Sequence, residues 1–306
     1  MSDSNPTNSP PLVSVVVACV NGLPYIAECC EHLLKQEGNV TGEIIVVDCC
    51  GEVVRTALRE RFPTVRVIGV EERLSIPKLR AIGMGQAKGR LIAILEDHCN
   101  VAPRWFEVIE RAHRAGYQAI GGAVENGSTE RTVDWAVFFC EYARFMLPVA
   151  KGVVPEITGN NSVYDREVLE KLGPEFLQEV WEAFLHQKMR ELGVPFYSDP
   201  ELVVSHKKEF GYGYFVSQRY HYSRSFSGMR MEGAPLWKKL AVAGATPILL
   251  PPLLLWRMTR TVWKKGRHRK EFLKSVPVIC TFLLPWMWGE VVGALCGPGT
   301  SLQKVE

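Results

Sequence analysis

The 306-residue chain has little net charge: 36 Lys and Arg stand against 33 Asp and Glu, a formal +3. That is too small a surplus to grip a polyanion, so nucleic acid is not an expected partner. The nine cysteines show no Cys-x-x-C spacing; the adjacent pairs Cys29-Cys30 and Cys49-Cys50 are not placed to clamp zinc as separated pairs do. The opening "MSDSNPTNSPP" has no charged-then-apolar leader and reads as a disordered lead-in over residues 1–11. With an odd cysteine count, this favours reduced thiols in a cytosol-facing domain. There is no internal repeat, and no glycine-rich phosphate loop follows the first apolar run, which disfavours a nucleotidyltransferase. Hydrophobic runs of bilayer length are missing until Lys238.

What is present begins with alternation. "VSVVVACVNG" (13–22), "GEIIVVDCCG" (42–51), "VRVIGV" (65–70) and "RLIAILEDHCN" (90–100) read as buried strands, separated by segments of helical spacing. Strands alternating with helices predict an α/β fold with a mostly parallel sheet covered on both faces. In such sheets ligands collect at the carboxyl ends of the strands. Position alone therefore nominates Asn21, Asp48, Cys49 and the Glu96-Asp97-His98 cluster. Beyond residue 115 the alternation loosens. "YQAIGGAVEN" is a further strand, "TVDWAVFFCEYARFML" an aromatic helix, and "TGNNSVYDREVLEKLG" a polar loop leading into a helix. "EVWEAFLHQKMRELG" is an amphipathic helix closed by Gly193, and "ELVVSHKKEF" a short strand ending at His206.

From residue 236 to 300 the chain changes character. Two apolar runs carry Pro247, Pro251, Pro252, Pro277 and Pro285, and the second is interrupted by Glu290. Between them lies a basic linker, 257–274, which the positive-inside tendency places at the cytosol. With the preceding domain also cytosolic, the first run is expected to enter and leave by one face, its prolines suiting a re-entrant or interfacial hairpin. A plain transmembrane pair and two buried core helices are the alternatives.

The motif series resembles the family-2 glycosyltransferases of the GT-A fold, over about Val13 to Gly228. "VSVVVACVNG" is similar to the family's V-S-V-V-I-P-x-Y-N. "EIIVVDCCGE" is similar to E-I-I-V-V-D-D-G-S, and "AIGMGQAKGRLIAILEDHC" to the segment that ends in D-D-D. The resemblance implies a GT-A domain over residues 12–235 that moves a sugar from a nucleotide-diphosphate donor. It also implies an inverting displacement and a divalent metal, Mn²⁺ or Mg²⁺, at the departing diphosphate. Ala18, Asn21, Asp48, Cys49, Arg80, Glu96 and Asp97 fall where the family contacts the nucleotide; Asp97, His98 and His206 fall at its metal. His98 stands in place of an acid: it could bind Mn²⁺ as an imidazole, pair with the diphosphate as a cation, or be merely tolerated. Cys49 stands in place of the acid that often reads uracil, which leaves guanosine and thymidine donors open.

Glu182 aligns with the general base, and Trp181 with the acid before it. Trp181, Asn160 and Asn161 mark the acceptor or sugar side. Arg219 and Arg224 lie near a loosely matched Q-x-x-R-W and are candidates for diphosphate or anionic-lipid contact; the missing motif argues against a polymerising synthase. A membrane location points to a lipid-linked or glycan acceptor. The rival expectation is a non-catalytic GT-A-like protein that binds nucleotide or partners at the membrane.

Overall fold

The computed structural model describes residues 11–40, 42–173 and 181–305; the expected lead-in lies almost wholly outside them. In chain order the elements are β1 (Val13–Cys19), α1 (Tyr25–Leu34), β2 (Gly42–Asp48), α2 (Glu52–Arg61), β3 (Arg66–Gly69), α3 (Ile76–Gln86), β4 (Leu91–Glu96), β5 (Cys99–Val101) and α4 (Trp105–Arg114). There follow β6 (Ala119–Asn126), α5 (Thr132–Tyr142), β7 (Gly152–Val154), β8 (Asn161–Asp165), α6 (Arg166–Leu172), α7 (Glu182–Glu191), β9 (Phe196–His206), α8 (Tyr212–Arg230), α9 (Leu236–Lys265) and α10 (Arg269–Cys296).

The sheet runs β3-β2-β1-β4-β8-β6-β9-β5, with β7 paired to β9. Its first half is parallel, β1 lying between β2 and β4. β1 is buried at every residue, which is why its Val run does not alternate. The second half departs from the mostly parallel expectation, since β8 is antiparallel to both β4 and β6. The sheet is mixed.

β8 also corrects the reading of "NNSVYD" as loop. A polar strand survives in the interior only if its side chains are satisfied, and Asn161 shows how. Fully buried, it accepts from Trp105 Nε1 at 2.9 Å and donates to the Leu202 carbonyl at 2.9 Å. Both ends of the amide are engaged inside the fold, so Asn161, expected beside Asn160 at the sugar, braces the strand. Asp165 then caps α6, accepting from the Glu167 N–H at 2.9 Å.

Two compact units emerge. The first comprises residues up to Glu72, Pro77–Gly122 and Ala150–Val204, and holds most of the sheet. The second comprises Arg73–Ile76, Ala123–Val149 and Ser205 onward, so α5 and α8 group with α9 and α10. Within it α8 lies against α10 along small residues. A side chain at Gly289 or Gly293 would collide with the backbone of Tyr220 or Arg224, so glycine there sets the close approach. Glu290, the acid inside an apolar run, is buried and receives Arg230 at 2.7 Å, while Ser227 Oγ donates to its carbonyl at 2.9 Å. Arg219 is also buried here, its guanidinium 3.7 Å from the Trp286 ring centre and 3.8 Å from Glu141. Arg224 reaches the Gly297 carbonyl at 3.4 Å. Both arginines expected at diphosphate or lipid are thus engaged in holding α8 to α10 and the segment after it.

The prolines do not break the C-terminal helices: α9 is continuous through three and α10 through two. The basic stretch is not a free linker either. It is helical except for a tight turn at Gly266 and His268, both with positive φ. α9 is 30 residues long, about 45 Å at helical rise, more than the roughly 30 Å bilayer core. Both helices are long and apolar enough to cross a membrane. Leu240, Ile248, Leu249, Leu253 and Trp256 of α9 and Leu284 and Trp288 of α10 stand exposed, a larger apolar surface than water-soluble monomers carry.

One consequence is measurable. Asn161→Ala leaves a buried indole N–H and a carbonyl without partners and should cost about 2–4 kcal/mol of stability. Thermal melting of the purified variant reads this as a drop of several degrees.

Candidate active site

Parallel register builds the site edge. Cys19 pairs with Asp48, and Ala18 with Glu96, so Asp48 and Glu96 flank the end of β1. Two strand spacings separate them, roughly 10 Å. Ala18 is buried between the two and contributes backbone only.

One step beyond Glu96 the chain places Asp97, 1% exposed. Its Oδ2 accepts the backbone N–H groups of Val20 at 2.8 Å and Asn21 at 2.7 Å. Its Oδ1 takes the Asn21 amide at 2.7 Å and His98 Nδ1 at 2.8 Å. Burial pushes this carboxyl upward, but the His98 hydrogen bond and charge and the Asn21 bonds outweigh it and hold it below the usual aspartate range. Four donors from the fold thus already fall on the two oxygens of Asp97, the residue that the family resemblance assigns to metal and nucleotide.

The consequence falls on His98. The short bond turns Nδ1 toward Asp97 and so fixes which way the ring faces, with Nε2 on the opposite side. Nε2 lies 3.5 Å from Glu96 Oε2. Carboxylate–imidazole–lone pair is the arrangement by which a histidine is prepared for a metal. Glu96 also receives Asn160 Nδ2 at 3.3 Å, and Asn160 in turn accepts from Thr158 Oγ1 at 2.7 Å. Arg80, buried on α3, lies 3.5 Å from Glu96 Oε1 and forms an ion pair with Glu182 at the start of α7. Its Nε is buried without a hydrogen-bond partner. A guanidinium between two carboxylates is the local counter-charge of the site. Trp181 is buried immediately before α7.

Asp48 is fully buried. Its Oδ2 accepts from Arg55 Nε at 3.1 Å and the Gly51 N–H at 3.2 Å, while Oδ1 has no hydrogen-bond partner. Arg55 escaped the sequence reading. Its guanidinium also reaches Glu71 at 2.5 Å and the Val70 carbonyl at 3.0 Å. An arginine on the apolar side of "EVVRTALRER", seven residues after Asp48, was the available signal. Cys49 is half-buried with its thiol toward the Cys19 carbonyl at 3.5 Å.

In the second unit, His206 ends β9, buried, parallel to the Phe210 ring and 4.7 Å from that of Tyr142. It lies two residues past Val204, where β9 leaves the first unit.

α7 is pinned to the sheet by His186, whose Nε2 meets Tyr164 Oη at 2.6 Å. Burial, aided by Arg190, lowers this imidazole to about 4. The unfolded chain protonates near 6.5 and the folded chain only near 4. The stabilisation is therefore complete above pH 6.5 and lost as pH falls toward 4, an effect of about 3 kcal/mol. Denaturant titrations should show this acid loss in the parent chain and its absence in His186→Phe.

Comparison with known proteins places this geometry. Residues 14–173 match the sequence profile of Glycosyl transferase family 2. Over 119 residues the chain is 40% identical to the succinoglycan biosynthesis protein ExoO of Rhizobium meliloti (strain 1021), a match covering 38% of this chain and 33% of that protein. Among solved structures it is similar to the Pyrobaculum calidifontis mannosyltransferase PcManGT in complex with GDP-Man and Mn²⁺. The TM-score is 0.54 at 16% identity, over 92% of this chain and 88% of that one. It is also similar to GalNAc-T7 with UDP, GalNAc and Mn²⁺, with a TM-score of 0.51 at 19% identity over 65% of this chain and 43% of the other. The fold is GT-A, and the chain belongs to glycosyltransferase family 2.

Proposed function

We propose that the chain is an inverting glycosyltransferase that moves a sugar from a nucleotide-diphosphate donor to a lipid-linked acceptor at the cytosolic membrane face. One observation carries the reading of the centre: the Asp97–His98 pair, which fixes the imidazole with Nε2 beside Glu96. Nucleotide, sugar and Mn²⁺ in the similar GT-A structures support the donor and metal classes.

In this reading Glu96 and His98 hold a divalent ion; His206, which the family resemblance also nominates for the metal, belongs to the second unit. Imidazole nitrogens favour Mn²⁺ over Mg²⁺. When bound, the ion stabilises negative charge on the leaving diphosphate. Asp48 offers its open Oδ1 to a base N–H, beside Asn21 and Cys49 on the same edge. Arg80 supplies positive charge toward the diphosphate, and Asn160 a polar contact to the sugar. Glu182 takes the proton from the acceptor hydroxyl as its oxygen bonds to the anomeric carbon. The bond from that carbon to the diphosphate breaks on the opposite side and its electron pair leaves with the nucleotide. Arg80 and the acceptor compete for the same Glu182 carboxylate, so donor binding, by engaging Arg80, releases the base.

The exposed apolar faces of α9 and α10 and the basic turn between them support membrane attachment. Lys238 and Lys239 at one end of α9 and Lys264 and Lys265 at the other keep both ends at the cytosol. An unbroken helix under that constraint lies along the interface instead of crossing it. An acceptor carried by a polyprenyl phosphate or a glycolipid is then within reach.

The test is product analysis with membranes, Mn²⁺ and a panel of labelled nucleotide sugars. Label should move to the organic-extractable fraction; label in a water-soluble glycoside would overturn the lipid acceptor. Glu182→Gln should lower turnover by about 10²–10⁴ with donor binding kept. His98→Ala should weaken Mn²⁺ binding, and Asp97→Asn should weaken it about 10–100-fold, both read by calorimetry of the metal alone.

A further inference from the structure

The base end of the sheet holds a second cluster, two of whose members, Cys19 and Cys50, have no part in the sugar transfer proposed above. Cys19, the buried last residue of β1, and Cys50, exposed in the turn before α2, bring their sulfurs to 3.9 Å. Donor atoms of Cys19, Cys50 and Asp48 all lie within 4.8 Å of one another. Sequence spacing hides this, because 31 positions separate the two thiols and neither belongs to a Cys-x-x-C.

We propose that Cys19, Asp48 and Cys50 form a binding site for a thiophilic divalent cation of the zinc class, separate from the Glu96–His98 centre. Geometry is the first support. Zinc–sulfur bonds of about 2.3 Å set tetrahedral sulfurs about 3.8 Å apart, and 3.9 Å is observed. A disulfide needs about 2.05 Å, so the spacing suits a shared ion better than a bond. The second support is Asp48 Oδ1, a fully buried carboxylate oxygen without a hydrogen-bond partner. The third is charge. Two thiolates and a carboxylate on a dication carry a net −1, and Arg55, bonded to Asp48 Oδ2 at 3.1 Å and shared with Glu52 and Glu71, offsets part of it and orients the ligand. Three protein ligands leave one position for water.

Binding forms two sulfur–metal bonds and releases the two thiol protons to solvent, with no change of oxidation state. A peroxide-sensing pair is less favoured. Although its bond to Cys50 pulls the Cys19 thiol down, burial and the nearby carboxylates carry it up to about 11, and Cys50 goes up to about 12. Such thiols hold little thiolate at neutral pH. A bound ion and a nucleoside base would compete for Asp48; that competition rests on the function proposed above, whereas the metal binding does not.

The experiment titrates the full chain, in detergent with a non-thiol reductant, with Cd²⁺ as the spectroscopic probe for zinc. A thiolate-to-metal charge-transfer band should saturate at one equivalent and be displaced by Zn²⁺. Cys50→Ser, an exposed position with circular dichroism as the folding control, should abolish it, while Cys296→Ser and His98→Ala should retain it. Absence of the band in the parent chain, its persistence in Cys50→Ser, or equal loss in Cys296→Ser would overturn the site.

Discussion

Four hydrogen bonds onto one buried carboxylate organise the catalytic edge. Asp97 ties the turn after β1 through two backbone N–H groups and the Asn21 side chain, and with its remaining capacity fixes His98. A buried carboxylate costs several kcal/mol unless its oxygens are satisfied, and here the satisfying groups are those whose positions matter for donor binding. The price of burying the charge is thus recovered as geometry. It also explains why an imidazole can follow where the family usually sets a further acid. Asp97 holds the ring, and the histidine turns Nε2 toward Glu96.

Charge is balanced in the same economical manner on either side. Arg80 lies between Glu96 and Glu182, and Arg55 answers Asp48, Glu52 and Glu71. Neither arginine serves a single exposed pair, which would contribute little. Each is nearly buried and holds carboxylates from separate elements. Arg80 joins β4 to α7 across 86 residues of chain, so the candidate base is positioned relative to the metal side by a cation that a diphosphate would also seek.

The parallel half of the sheet was legible because uninterrupted β-branched runs have few other uses, and register then brings Ala18, Asp48 and Glu96 to one edge. β8 was illegible because "NNSVYD" lacks an apolar pattern, and its burial depends on Trp105 and Leu202, which no local reading supplies. The hydrogen bonds of Asp97 and His98 escaped the sequence for a related reason. Residue type announces a possible ligand, but only the partners on each oxygen decide whether it ligates or orients. For Arg219, a candidate for diphosphate or anionic-lipid contact, the sequence likewise held no sign of Trp286 and Glu141 beside it. The proximity of Cys19 and Cys50 was hidden in another way, since a spacing rule applied within one segment is silent about a strand end and the turn after its neighbour.

The proline-bearing helices carry the least transferable expectation. In water an interior proline costs about 3 kcal/mol through its missing N–H and its clash with the preceding turn, so five prolines in two runs read as breaks. α9 and α10 nevertheless continue through them. In an apolar medium a break exposes several unsatisfied backbone groups, each more costly than one lost helical bond, so the helix persists around the defect. Glu290 follows the same logic: its carboxylate is tolerated inside an apolar run because Arg230 reaches it and Ser227 holds the adjoining carbonyl. The medium, more than the intrinsic preference of the residues, sets which local rule governs, and the exposed leucines and tryptophans of these helices fit membrane association.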